Sequence, residues 1–236
     1  MSWILVTGAA KGLGAEICHQ LAKEGHSVVI HYRTSRDGAL QTAERCKQLG
    51  GKAEVIQGDF SSDQSLREFI HNYQQRFPHT EGLVNNVGNY LVKPALSTSL
   101  QEWNDLFQTN LTAPFFLIHE LIPSLKKHQG SIVNIGSAGT HAFLSNSYSS
   151  IYHLTKTSLW MLTKNLAKEL ASDLVRVNMV SPGQLENSVD PLHYSRLPMK
   201  RYGTLAEVAA VVTFLMHKQN SYITGQNIEV TGGLHV

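Results

Sequence analysis

Trp3-Ile4-Leu5-Val6-Thr7-Gly8-Ala9-Ala10-Lys11-Gly12-Leu13-Gly14 is the stretch on which the fold turns. A short, near-continuous apolar run fits a strand buried on both faces of a parallel sheet. It passes into a glycine-rich turn and then into a helical pattern over 12–23, where Leu13, Ile17 and Leu21 recur every four residues. Between a strand and a helix the glycines have separate tasks. Gly8 lets the chain turn sharply, Gly12 lets backbone approach a pyrophosphate, and Gly14 allows close helix–strand packing. The N–H groups and positive dipole end of the helix that follows favour a phosphate there.

The same alternation runs outward to the end of the chain. Strands are expected over 3–7, 27–32, 53–57, 82–86, 131–135, 175–180 and 227–230. Helical patterns occupy 100–128, 150–170 and 205–217 as well as 12–23, with Pro114 expected to disturb the long one near its middle and Pro123 later. Repeated strand–helix–strand units imply an α/β, Rossmann-type, doubly wound parallel sheet of about seven strands with helices on both faces. No linker or internal repeat divides the chain, so residues 1–236 are expected to form one domain. The stretch at about 183–203 reads as a mobile loop on the substrate side.

Bulk properties narrow the function. Hydrophobic residues make up 42% of the 236 and charged residues 16%, below the ~25% usual in globular chains, which leaves ample material for a core. Twenty Lys and Arg against 18 Asp and Glu give no basic block for nucleic acid, and no apolar run is long enough for a membrane span. The 12 histidines are scattered without ligand spacing, so no metal is expected. Cys18 and Cys46 stand far apart, each in an expected helix, which fits a reduced, cytoplasmic setting. Met1-Ser2-Trp3 leads straight into a strand, and no signal peptide is read there.

The carboxyl ends of the expected strands carry the chemistry. The second ends in His31-Tyr32-Arg33-Thr34-Ser35-Arg36, with no carboxylate before Asp37 to hold a ribose diol. Arg33 could grip a 2′-phosphate as a fork, next to Thr34, and Lys11 could add a second cation. The expected cofactor is therefore NADP(H). Asp59-Phe60 ends the third strand, within reach of an adenine, and Asn85-Asn86-Val87-Gly88 ends the fourth. Tyr152 and Lys156 stand four apart, on one helix face. A cation beside a phenol favours the phenolate and lowers a pKa that starts near ~10, which suits a general acid.

Thr7-Gly8-x-x-x-Gly12-x-Gly14, Asp59, Asn85-Asn86-x-Gly88, Asn110, Ser137, Tyr152-x-x-x-Lys156 and Pro182-Gly183 occur in the order seen in the short-chain dehydrogenase/reductase family, which the chain resembles over essentially its whole length. Within it the chain looks most like bacterial 3-oxoacyl-acyl-carrier-protein reductases, with Tyr222-Ile223-Thr224-Gly225 and Thr231-Gly232-Gly233 at its end. The resemblance implies that Tyr152 exchanges the proton, that Lys156 lowers its pKa and holds the nicotinamide ribose, and that Ser137 polarises the carbonyl. It implies that Asn110 holds a relay water, and that Leu13, Asn86, Gly88, Pro182, Gly183 and Ser188 line the cofactor. It also implies a small-molecule or acyl-thioester carbonyl substrate, and a homotetramer or homodimer built on the two long helices, where Trp103, Phe107, Phe115, Trp160 and Met161 are the interface candidates. A pteridine reductase-like enzyme is the second reading, and a non-catalytic NADPH-sensing protein a third. Ser137 precedes Tyr152 by 15 residues, two more than the family's usual spacing, so two residues within 141–147 are expected to bulge.

Overall fold

The computed structural model describes residues 1–142, 145–189 and 191–234. Seven strands, β1 (Trp3–Val6), β2 (Ser27–Tyr32), β3 (Lys52–Gln57), β4 (Thr80–Asn85), β5 (Ser131–Ile135), β6 (Arg176–Pro182) and β7 (Asn227–Val230), form one sheet in the order β3-β2-β1-β4-β5-β6-β7. Every pairing is parallel. The expected α/β doubly wound architecture is the one observed, and each strand lies within about two residues of its expected ends.

Period-two alternation sends successive side chains to opposite faces of the sheet. Ile4 and Val6 of β1, and Val28 and Ile30 of β2, pack with Ile17, Leu21, Ala43 and Val212 on one side. Those residues come from α1 (Gly12–Lys23), α2 (Arg36–Gln48) and α7 (Leu205–Met216). Leu5 and Val29 pack with Phe69, Tyr73, Leu117 and Ala167 on the other, supplied by α3 (Asp63–Arg76), α5 (Ala113–His128) and α6 (Ser150–Glu169). With both faces covered, the central strands β1 and β2 carry near-continuous apolar runs, while the edge strand β3 exposes Lys52, Glu54 and Gln57.

The long helix expected over 100–128 is two helices. α4 (Leu100–Phe107) runs into a π-helical turn, Gln108–Thr112, before α5 begins. Pro114 is therefore not a mid-helix break: it occupies the first turn of α5, where its missing N–H is tolerated. Pro123 lies inside α5.

Strand order reverses at β1, whose neighbours are β2 and β4. Crossovers leave to opposite sides there and open a crevice at the carboxyl ends of the strands, where open α/β sheets take ligands.

Candidate active site

The crevice is a cleft of about 980 Å³ lined by Gly8, Lys11, Gly12, Leu13, Gly14, Arg33, Thr34, Asp59, Phe60, Asn86 and Gly88. Eleven positions singled out in the sequence thus share one cavity. Gly14 admits no side chain, since a Cβ there would lie 2.6 Å from both the Gly8 carbonyl oxygen and Asn86 Nδ2. Gly8 holds φ at +63°, the left-handed region that favours glycine.

Side chains brace this loop from two strands. Thr7 Oγ1 accepts from the N–H groups of Asn86 (2.9 Å) and Val87 (3.0 Å), and Asn86 Nδ2 donates to the carbonyls of Thr7 (2.9 Å) and Gly8 (3.1 Å). From β2, His31 Nδ1 accepts the Gly8 N–H at 3.0 Å, so the ring proton sits on Nε2, 3.2 Å from the Gly58 carbonyl. The imidazole stacks on Phe60 at 4.3 Å and 4°. Burial pushes its pKa down to about 4, against the opposing pull of the Gly58 bond and Asp59. Phe60 is thereby committed to the core (4% exposed), so what it offers the cleft is backbone and ring edge.

Lys11 and Arg33 are exposed at the cleft and take part in no ion pair among the described residues. Asp59 is turned to its own loop, its Oδ1 accepting the Ser61 N–H at 3.0 Å. Free helical N–H groups, two cations outside any ion pair and a loop that excludes side chains fit a phosphorylated dinucleotide.

At the inner end of the cleft, a Cβ on Gly88 would stand 3.3 Å from Lys156 Nζ. Lys156 is buried and donates to the Ile135 carbonyl at 2.8 Å, at the end of β5. Its ammonium lies 5.8 Å from the centre of the Tyr152 ring. The two residues share one face of α6, as the four-residue spacing requires. Burial lowers the Lys156 pKa to about 8.

Tyr152 departs from expectation. Burial pushes its pKa up to about 12; a hydrogen bond with Ser137 pulls it down, and the nearby Tyr90 phenol pushes it up. The depressed phenol expected from Lys156 is not built into the protein's own groups, because the ammonium faces the ring and bonds a carbonyl.

Ser137, despite its 15-residue separation, lies close enough to Tyr152 to pull its pKa down. The chain between them makes a 3₁₀ turn at Thr140–Ala142, close to where extra length was expected; Phe143 and Leu144, within that expected bulge, lie outside the described residues.

Asn110 is fully buried in the π turn. Its Oδ1 accepts the Asn89 N–H at 2.8 Å, and its Nδ2 donates to the Asn89 carbonyl and to Thr155 Oγ1, both at 3.0 Å. The side chain is thus a clamp between α6 and the segment after β4.

Pro182 ends β6 and Gly183 follows it, so close to Thr231 that a Cβ would lie 2.9 Å from its Cα. The Ser188 hydroxyl accepts the Leu185 N–H at 2.8 Å inside a local turn, while its neighbours Asn187 and Val189 line the cleft. Residues 184–186 are stitched to Gly203 by backbone bonds, so the substrate-side loop has a fixed base.

Sequence reasoning missed Tyr90, whose ring meets Tyr152 edge-on at 4.7 Å and 88°, together with Asn187 and the bracing role of His31. The inward-facing place of His31 was readable from the alternation of β2; nothing local marks Tyr90 or Asn187.

Among the interface candidates, Trp160 is a correction. It is 8% exposed and packs with Leu159 and Met179, because it falls on the sheet-facing side of α6. Phe107 is half-buried beneath Trp103, 4.6 Å between ring centres. Trp103, Phe115 and Met161 are exposed, the last two beside Leu111 and Leu162 in a shallow apolar groove between α5 and α6. No helix of the described residues is long and apolar enough to cross a membrane, and no group of three or more metal-binding side chains occurs among them.

Residues 8–235 match a family described as enoyl-(acyl carrier protein) reductase. The chain is 34% identical over 241 residues to a 3-oxoacyl-[acyl-carrier-protein] reductase of Staphylococcus epidermidis, covering 98% of each. A blue fluorescent protein from a metagenomic library, solved with NADPH, superposes with a TM-score of 0.91 at 26% identity, over 100% of this chain and 98% of that one. The landomycin C-6 ketoreductase, solved with NADP and rabelomycin, gives a TM-score of 0.90 at 25% identity, over 99% of this chain and 96% of that one.

Proposed function

The chain belongs to the short-chain dehydrogenase/reductase family, and from that premise we propose that it reduces the 3-oxo group of an acyl thioester with Tyr152 as the proton donor. It is an oxidoreductase that works with NADP(H) between a carbonyl and an alcohol. The observation that carries the residue roles is the nearness of Tyr152 both to Ser137, which pulls its pKa down, and to the Lys156 ammonium, at the inner end of the dinucleotide cleft.

When bound, NADPH supplies the hydride. The glycine loop receives the pyrophosphate, and Lys11, Arg33 and Thr34 receive the phosphorylated ribose. Tyr152, held protonated by burial, gives its proton to the carbonyl oxygen, and Ser137 hydrogen-bonds that oxygen as charge develops on it. Lys156 supplies positive charge beside the phenolate as it forms, which offsets the burial that otherwise disfavours it. Its Nζ has donors to spare beyond the one given to Ile135, enough to hold ribose hydroxyls. Asn110 fixes the floor of the site and would hold the relay water, and Ser188 would contact the nicotinamide amide.

The relatives support a thioester carried on an acyl-carrier protein as substrate. A homotetramer or homodimer resting on Trp103, Phe115 and Met161 is supported by their exposure, and a cytoplasmic setting by two buried free cysteines.

Purified protein is assayed with NADPH and acetoacetyl thioester, and separately with dihydrobiopterin. Turnover of the pterin alone overturns the thioester assignment. Tyr152→Phe is expected to lower kcat by roughly 10³-fold while NADPH affinity stays within about twofold; undiminished turnover removes Tyr152 as the acid. Sedimentation showing only monomer at micromolar concentration rejects the assembly.

A further inference from the structure

Ser137 depends on a loop with extra length, and among the described residues its near end is tied to β7. The turn Thr140–Ala142 hangs from β7 through Glu229, whose Oε1 accepts the Gly139 N–H at 3.0 Å and pairs with His141 Nδ1 at 2.8 Å. From the turn back to Ser137 the ties are short. Thr140, fully buried, donates to the Ser137 carbonyl from Oγ1 (3.0 Å) and from its N–H (3.4 Å). The Ala138 N–H donates to the Pro182 carbonyl at 3.1 Å. Gly139 takes φ +78°, which aims its N–H at the carboxylate at no cost in side-chain sterics.

Glu229 is not needed to hold β7. That strand is paired to β6 through the backbone, with Ser181 opposite Glu229. The carboxylate is nonetheless largely enclosed, its side chain 13% exposed and its Oε2 buried with no hydrogen-bond partner among the described residues. A half-satisfied buried carboxylate is costly, and among the described residues its two side-chain polar contacts both lead to the loop that carries Ser137.

We infer that Glu229, with His141 as its partner, is a positioning residue for Ser137: it pins the over-long loop so that the serine hydroxyl meets Tyr152. The inference rests on Ser137 being the polarising hydroxyl, and the experiment separates the two ideas. Glu229→Ala is measured alone and in a Ser137→Ala background, with kcat, KM and NADPH Kd determined for each. A loose positioning residue costs rate rather than binding. Glu229→Ala is therefore expected to lower kcat about tenfold with NADPH Kd within about twofold, and to have no further effect once Ser137 is gone. Glu229→Gln keeps an acceptor for the Gly139 N–H and is expected to restore most of the rate.

Equal losses from Glu229→Ala in both backgrounds overturn the inference and leave the assignment of Ser137 standing. An unchanged kcat in Ser137→Ala removes that assignment, and this inference with it. Should Glu229→Ala not fold, the same comparison is made with His141→Ala, at a side chain 45% exposed. Its expected loss is about threefold, present only when Ser137 is present, and wild-type kcat in that variant overturns the inference.

Discussion

The cleft has two halves built on different principles. The nucleotide half is a tightly packed glycine loop braced from both flanking strands at once. Gly14 admits no Cβ, Thr7 and Asn86 tie the loop to β4, and His31 ties it to β2. The substrate half hangs from a few separate contacts, each on its own segment: Asn110 on Asn89, Glu229 on Gly139, Thr140 on Ser137. A loop with no room for a Cβ tolerates few substitutions and serves one ligand shape. A site hung from individual side chains can be re-aimed by changing one of them, which is where substrate choice can vary on a common scaffold.

The largest break in that contrast is expected at Gly14→Val. Its branched side chain has no room beside Gly8 and Asn86, and overpacking of this kind costs about 1–3 kcal/mol. NADPH titration and thermal melting should show loss of nucleotide binding together with a lowered Tm, whereas Glu229→Ala in the other half should leave both nearly in place. Equal damage from the two would dissolve the distinction.

Lys156→Met tests the boundary between the halves. A buried ammonium with one carbonyl partner and no carboxylate is a stability burden, and replacing such charge by a well-packed apolar chain commonly gains about 1–4 kcal/mol. The variant is expected to be inactive but more stable at pH 7. The sign with pH follows from a folded pKa near 8 against 10.5 unfolded. Below about 8 both states of the wild type are protonated and the burden is complete. It fades as pH rises from 8 toward 10.5, so the stability gap to the variant should narrow in that window. Denaturant midpoints at pH 7 and pH 10 check it, and a gap that widens refutes it.

The smallest effect is expected at Arg33→Ala. Removing one charge-assisted hydrogen bond at an exposed position should raise the Kd for NADPH by about tenfold and leave that for NADH nearly unchanged, as measured by fluorescence titration. Equal changes for the two would show that Arg33 does not face the extra phosphate.

What was legible in the sequence follows the same division. The apolar runs, the glycine loop and the basic end of β2 are local patterns, and the strands they imply fell within about two residues of place. The Tyr152–Lys156 pair was legible because a helix converts sequence spacing into adjacency. Tyr90 and Asn187 were not, since they reach the site by loop paths that no periodicity records. The π turn at Gln108–Thr112 was hidden as well, because an extra residue in a helical turn leaves the apolar pattern almost intact. The electrostatics of Tyr152 reversed expectation because a pair reading counts the neighbouring charge and cannot count desolvation.

The imidazole under the glycine loop makes protons and dinucleotide rivals. The Gly8 N–H occupies His31 Nδ1, so an added proton there would set two donors against each other and push the loop away from the shape that receives a pyrophosphate. With a folded pKa of about 4 against 6.5 unfolded, the protonated ring is disfavoured in the fold, and stability drains away as pH falls from 6.5 toward 4, by about 3 kcal/mol in all. By reciprocity, nucleotide held in the loop must push the histidine's titration still lower, so acid should empty the cleft before it unfolds the sheet.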